Sequence, residues 1–144
     1  MEIEVKKATE MAQTELIEIF QERVAVFVVE QECPYQEVDE YDAVAWHVLL
    51  KDEGKLKAYA RIIEKEDHVT FGRVLVVKAY RGEKWGKKIV AAAIEETKKR
   101  FPDRKIQISG QAYLKKFYQS FGFEIVSDIY LEDGIPHLEL ILND

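Results

Sequence analysis

The chain has 144 residues, a formal net charge of −6 and a single cysteine. That length fits one domain, residues 1–144. The lone Cys33 excludes an internal disulfide and argues for a reducing compartment, and the acidic balance argues against a nucleic-acid partner. The opening MEIEVKKATE carries no apolar signal core and no apolar run reaches membrane-spanning length, so a cytoplasmic location with no membrane partner is expected.

In chain order, Glu2–Lys7 alternates apolar and polar residues and reads as a strand. Thr9 suits the N-cap of a helix running to about Val28, with Leu16, Ile19, Phe20, Val24 and Phe27 on one face. The acidic, aromatic segment Glu30–Tyr41, broken by Pro34, reads as an irregular loop of the kind that shapes an active site. Ala43–Lys51 and Lys55–Glu64 flank a hairpin turn at Asp52–Gly54, and Val69–Lys78 contains the apolar run of a central strand. Gly82–Arg100 has helical spacing, with Ile89, Val90, Ala93 and Ile94 as its apolar stripe, and Pro102 ends it. Lys105–Ser109 is a short strand, and Gln111–Phe121 is a helix closed by Gly122 in a left-handed cap. Phe123–Tyr130 and Ile135–Leu142 are strands joined by a second hairpin turn, Glu132-Asp133-Gly134. The order β-α-β-β-β-α-β-α-β-β calls for both crossovers and hairpins. The expected fold class is therefore α/β (α+β), a single mixed sheet flanked by helices.

The sharpest local feature is VLVVKAYRGEKWGKKIV, Val74–Val90, where a buried strand passes through a short loop into a helix. A helix N-terminus carries unpaired N–H groups and partial positive charge, so it attracts acidic side chains. Here Arg81, Lys84, Lys87 and Lys88 crowd that end, opposed only by Glu83. A bound polyanion reverses the mismatch, and Gly82 and Gly86 let backbone amides approach phosphate. The nucleotide-binding pattern GxxxxGKS/T is absent, since Gly82 and Gly86 stand too close and Lys87 is followed by Lys88. The three histidines and one cysteine are scattered, with no spacing for a metal site.

The segment YRGEKWG, followed about thirty residues later by FYQSFGF, resembles the GNAT superfamily of acyl-CoA N-acyltransferases. Within it, VFVVEQECPYQEVD, GRVLVV, RGEKWG, GQAYLKKFYQSFGF and EDGIPH together resemble the ElaA-type proteins, over nearly the whole chain. The resemblance implies acetyl-CoA as co-substrate, no metal, and an acyltransferase that moves acetyl to a small-molecule or peptide amine. The family's pyrophosphate loop reads Gln/Arg-x-x-Gly-x-Gly/Ala. Arg81 matches its first position and Gly86 its last, while Lys84 replaces the middle glycine. By the same resemblance, the backbone of Leu75, Val76 and Val77 pairs with pantetheine across a V-shaped gap before Lys105–Ser109. Arg81, Gly82, Lys84, Trp85, Gly86 and Lys87 form the phosphate loop, and Gln111 stands where relatives carry an asparagine near pantetheine.

Aminolysis of a thioester requires an amine that has lost its proton and a leaving thiolate that is neutralised or stabilised. Read from spacing alone, Leu114, Phe117, Tyr118 and Phe121 share a helical face and Tyr118 is core; the resemblance instead makes Tyr118 the general acid. The base is undetermined. Candidates that meet substrate are Glu30 in the acidic loop, His47 in the next strand and His137 after the second turn. Arg61 and Arg73 either pair with the acidic loop or hold a substrate carboxylate, whereas the loop's own charge suits a cationic amine. Two other functions compete: a non-catalytic acyl-CoA-binding or sensing module, and an acyl-homoserine-lactone synthase, for which the chain is short. The assembly stays open between monomer and homodimer.

Overall fold

The computed structural model describes residues 1–142. Among the described residues eight strands form one sheet: β1 (Glu2–Lys6), β2 (Trp46–Asp52), β3 (Lys55–Glu64), β4 (Val69–Val76), β5 (Ile106–Gln111), β6 (Phe123–Ile125), β7 (Tyr130–Glu132) and β8 (Ile135–Leu142). Their order across the sheet is β1-β2-β3-β4-β5-β8-β6, with β7 also paired to β8. Both expected hairpins form. Glu53 and Gly54 have φ of 53° and 73°, and Asp133 and Gly134 have 52° and 78°. Two consecutive left-handed residues are the two-residue turn whose twist matches that of the strands.

Helix α1 (Gln13–Val24) covers one face, where Ile19 packs with Leu49, Leu56, Tyr59 and Leu75. Helices α2 (Trp85–Arg100) and α3 (Lys115–Gln119) cover the other face. There Ile89, Val90, Ala93 and Tyr118 pack with Val48, Leu50, Ala58, Ala60 and Ile62. The alternation along β2 and β3 thus fills both layers, which is why β3 is buried from Leu56 to Ile63.

The mixed sheet is the expected class, with local differences. Thr9 lies in a 3-10 turn, Ala8–Glu10, and Ala12 is the N-cap of α1. The helix gives way to a π-helical turn, Ala25–Glu30. The second helix begins at Trp85 rather than Gly82, because Gly82 and Lys84 turn left-handed. Gln111 ends β5, and a 3-10 turn, Ala112–Leu114, precedes α3. Gly122, at φ 99°, takes the left-handed conformation expected of it. The expected strand Phe123–Tyr130 breaks into β6 and β7, since Ser127 Oγ takes the Glu139 N–H that a continuous ladder would use.

Candidate active site

The sheet opens between its two parallel strands. β4 and β5 pair only at Val69 and Ile106, supported by the Val69 N–H donating to Lys105 O at 2.8 Å. Beyond that point they diverge. A bulge in β4 contributes: Tyr59 faces Leu75 and Arg61 faces Gly72, so β4 carries one extra residue, and Arg73 adopts φ 51°. The result is an open cleft of about 1020 Å³ lined by both strands, the α2 loop, α3 and the segment after α1.

Within Leu75–Val77, the Val77 N–H donates to Lys57 O at 2.9 Å, on the β3 side. Alternation turns the N–H and C=O of Val76 toward the gap. Arg81 Nε already reaches Val76 O, at 3.4 Å. Of the three residues, Val76 is the one whose backbone N–H and C=O face the gap.

At one end of the cleft lies the start of α2. Its first turn has no acidic residue and its N-cap, Lys84, makes no side-chain cap. Lys84 has φ 67°, so the residue standing in place of the family glycine keeps the backbone a glycine would adopt. An L residue in that region carries a cost of roughly 1 kcal/mol. Gly82, at φ 86°, needs its missing Cβ for the same reason, whereas a Cβ on Gly86 would meet only Val76 Cγ2 at 3.7 Å. Lys87 is exposed. Trp85 is buried, anchors the helix start in the core, donates to Glu83 at 3.3 Å and carries Lys88 over its ring. Arg81 makes a two-pronged pair with Glu30, at 2.6 and 2.7 Å. This pair ties the loop before α2 to the end of the α1 extension and holds the Glu30 carboxyl below its ordinary range.

At the other end, Tyr118 is 6 % exposed on α3 and lines the cleft. Its ring lies on Gly110: a Cβ there would sit 2.9 Å from Cε2 and 3.1 Å from Cδ2. Phe117 and Phe123 hold the ring edge-on. Burial, and then Tyr113, push the hydroxyl up to about 12, so it keeps its proton at neutral pH. Gln111 reaches Gln31 Oε1 across the cleft at 3.5 Å.

The acidic loop is organised by a buried ion network. Arg23, fully buried, donates to Glu37 at 3.0 Å and to both oxygens of Asp42 at 2.6 and 3.0 Å. Arg61 binds Asp39 at 2.7 and 2.9 Å and Asp42 at 3.0 Å. Arg73 Nη2 donates to Glu37 O at 2.9 Å, and its Nε lies 2.6 Å from Glu37 Oε2, near enough for ion pairing but misaligned for a hydrogen bond. Three guanidinium groups thus meet three carboxylates, and the pairing reading of Arg61 and Arg73 is the one observed.

His47 does not reach the cleft. It is fully buried, Nε2 donates to Asp42 O at 3.0 Å, and Nδ1 accepts from Tyr59 Oη at 2.6 Å. Burial lowers its pKa, so it is a neutral structural member of the network rather than a substrate group. His137 does line the cleft, with Nδ1 2.7 Å from Ile135 O and Nε2 3.5 Å from Glu132 Oε2. Cys33 and Gly110, absent from the sequence-derived site, line it as well. A glycine taking an inward position of the alternating strand IQISGQ was the available signal for Gly110. Among the described residues no group of three or more His, Cys, Asp or Glu side chains gathers as a metal site, and no helix is long and apolar enough to cross a membrane.

Comparison with known proteins places this geometry. The family described as "Acetyltransferase (GNAT) domain" matches residues 10–143. Protein ElaA of Escherichia coli K12 is 43 % identical over 135 residues, covering 90 % of this chain and 88 % of ElaA. The crystal structure of Escherichia coli ElaA superposes with a TM-score of 0.92 at 39 % identity, covering 99 % of this chain and 100 % of that one. An acyl-CoA N-acyltransferase from Pseudomonas aeruginosa gives 0.92 at 35 % identity with the same coverage. The acyl-homoserine-lactone synthase LasI gives 0.74 at 15 % identity, covering 99 % of this chain and 90 % of that one, a likeness of fold alone. With the GNAT domain matched across most of its length and ElaA aligned over 90 % of it, the chain belongs to the GNAT superfamily of acetyltransferases and is closely related to the bacterial ElaA proteins.

Proposed function

We propose that this protein moves the acetyl group of acetyl-CoA to the amine of a small molecule or peptide, by direct attack of the amine on the thioester. The observation that carries this reading is the one-point pairing of β4 and β5, with an uncapped, lysine-flanked helix start at one end of the opening and Tyr118 at the other. Pantetheine is a linear chain with two amides, and the Val76 backbone offers it the pairing that β5 gives up. The pyrophosphate meets the N–H groups of the first turn of α2, flanked by Lys84 and Lys87. Arg81 joins them once it leaves Glu30. Gln111 faces the arm from β5.

Anchored at both ends, the thioester carbonyl sits near Tyr118. The amine nitrogen bonds to the carbonyl carbon and the C–S bond breaks. The Tyr118 hydroxyl gives its proton to the departing sulfur and recovers one from the attacking nitrogen. Coenzyme A thus leaves as the free thiol. The phenol meets the charge that develops on the departing sulfur.

The test is release of free thiol from acetyl-CoA in the presence of a panel of primary amines, with mass spectrometry of the product. Amine-dependent thiol release with a matching acetylated amine supports the reading. Acetyl-CoA binding without thiol release from any amine would instead make the protein a binding module.

A further inference from the structure

We infer that His137 is the general base that deprotonates the acceptor ammonium, through Nε2, an assignment that rests on the acyl-transfer reading above. Its Nδ1 lies 2.7 Å from Ile135 O. A carbonyl oxygen only accepts, so Nδ1 carries the proton of the neutral ring and Nε2 is the nitrogen with the free lone pair. Nε2 makes no hydrogen bond to the described residues. Its nearest charged neighbour is Glu132 Oε2 at 3.5 Å, on a side chain that is half exposed. A base whose proton-accepting nitrogen is unoccupied, beside a solvated carboxylate, is arranged to take a proton and pass it to water.

The strand register sets this base against Tyr118. His137 stands opposite Gln111 of β5, and its neighbour Leu138 stands opposite Gly110. Directly opposed residues share a face of the sheet, and adjacent ones point to opposite faces. Gly110 is where the Tyr118 ring packs, and Leu138 belongs to the same core cluster as Tyr118. Acid and base therefore approach the gap from opposite sides of the sheet. The amine enters on one side, and the sulfur leaves toward the other.

The other carboxylates and the other histidine weighed as bases are engaged in the unliganded protein. Glu37, Asp39 and Asp42 are held by three arginines, Glu30 by Arg81, and both nitrogens of His47 are filled. The titratable groups around His137 are Tyr130 and Glu132 on β7, Asp133 in the turn, and Cys33, whose Sγ lies 3.4 Å from Asp133 O. Glu139 on β8 is engaged by the Tyr130 hydroxyl, and β5 presents the uncharged Gln111 and Ser109. Proton balance is complete: the ammonium gives one proton to Nε2, which releases it to solvent past Glu132, and Tyr118 supplies and recovers the other.

His137→Asn tests the assignment, because the Asn amide keeps a donor near the Nδ1 position while Nε2 is deleted. Acceptors are benzylamine, cationic at neutral pH, and hydroxylamine, largely neutral there. The variant is expected to lose at least about a hundredfold in kcat/KM with benzylamine and less than threefold with hydroxylamine, whereas Tyr118→Phe lowers both. Equal losses with both acceptors, or none, would overturn the base role. Wild-type protein that releases thiol with neither acceptor overturns acyl transfer to these amines, and the base role with it, a result distinct from a defect confined to the His137 variant.

Discussion

Replacing Gly110 by alanine probes the acid end of the site through packing alone. The backbone there has no positive φ, so alanine introduces no conformational strain. The new Cβ would lie 2.9 Å from Tyr118 Cε2, 3.1 Å from Cδ2 and 3.2 Å from Leu140 Cδ1. Carbon atoms pack at about 3.5–4.0 Å, so the ring must retreat by most of an ångström. Leu140 is 1 % exposed and Tyr118 is wedged by Phe117 and Phe123, which leaves little room to yield. Overpacking of this kind costs about 1–3 kcal/mol, or a fall in melting temperature of roughly 3–10 °C for a chain of this size. A 1 Å misplacement of a reacting group can cost about a hundredfold in rate. Gly110→Ala should therefore lower kcat by one to two orders of magnitude while acetyl-CoA affinity, set at the other end of the cleft, changes little. Tyr118→Phe is the control: it removes the hydroxyl, keeps the ring, and should reduce kcat with little change in melting temperature. A Gly110→Ala protein with wild-type melting and wild-type turnover would refute the claim that this glycine positions Tyr118.

Lys87→Glu should weaken coenzyme A binding by about tenfold or more without lowering the melting temperature of the free protein, since an acidic residue suits the first turn of α2; isothermal titration and a melting curve read both quantities. Glu30→Gln should tighten coenzyme A binding by about 1.5- to 5-fold, because an exposed ion pair of the Arg81–Glu30 kind is worth roughly 0.2–1 kcal/mol and no longer competes with phosphate; unchanged or weaker binding would contradict the competition. Burial raises the Asp42 carboxyl, but the hydrogen bond from Arg23, with the Asp39 N–H and the nearby guanidinium charges, outweighs it and holds the pKa at about 2 against an ordinary 3.8. A folded pKa below the unfolded one contributes stability that is complete above about pH 4 and lost as pH falls through about 2. Asp42→Asn should thus be less stable than wild type by about 3 kcal/mol at pH 7, and denaturant melts should show the gap narrowing between pH 4 and pH 2.

Much of the fold was legible because periodicity and turn chemistry act locally. The two hairpins were readable from Glu53-Gly54 and Asp133-Gly134, residues suited to consecutive left-handed positions. The start of α2 lies three residues beyond Gly82 because Lys84 adopts a left-handed turn that its side chain does not announce. The unfavourable charge at that helix start was visible in sequence, since it depends on residues four or fewer positions apart. The buried network was not. Arg23 and Asp42 are 19 residues apart, and nothing in either segment says that they meet on the α1 face of the sheet. His47 and His137 looked equivalent in sequence; only tertiary contacts fill both nitrogens of one and leave Nε2 of the other open.

The central claim is that the opening between β4 and β5 holds an acyl-CoA whose pyrophosphate rests on the start of α2. Its most direct test is the melting temperature with acetyl-CoA, compared at equal concentration with ATP and NAD, which share the pyrophosphate but lack the pantetheine arm. Acetyl-CoA at about a hundred times its dissociation constant should add roughly 2.7 kcal/mol, a rise of several degrees, with ATP and NAD giving much less. No rise at millimolar acetyl-CoA, or an equal rise with all three ligands, would contradict the account.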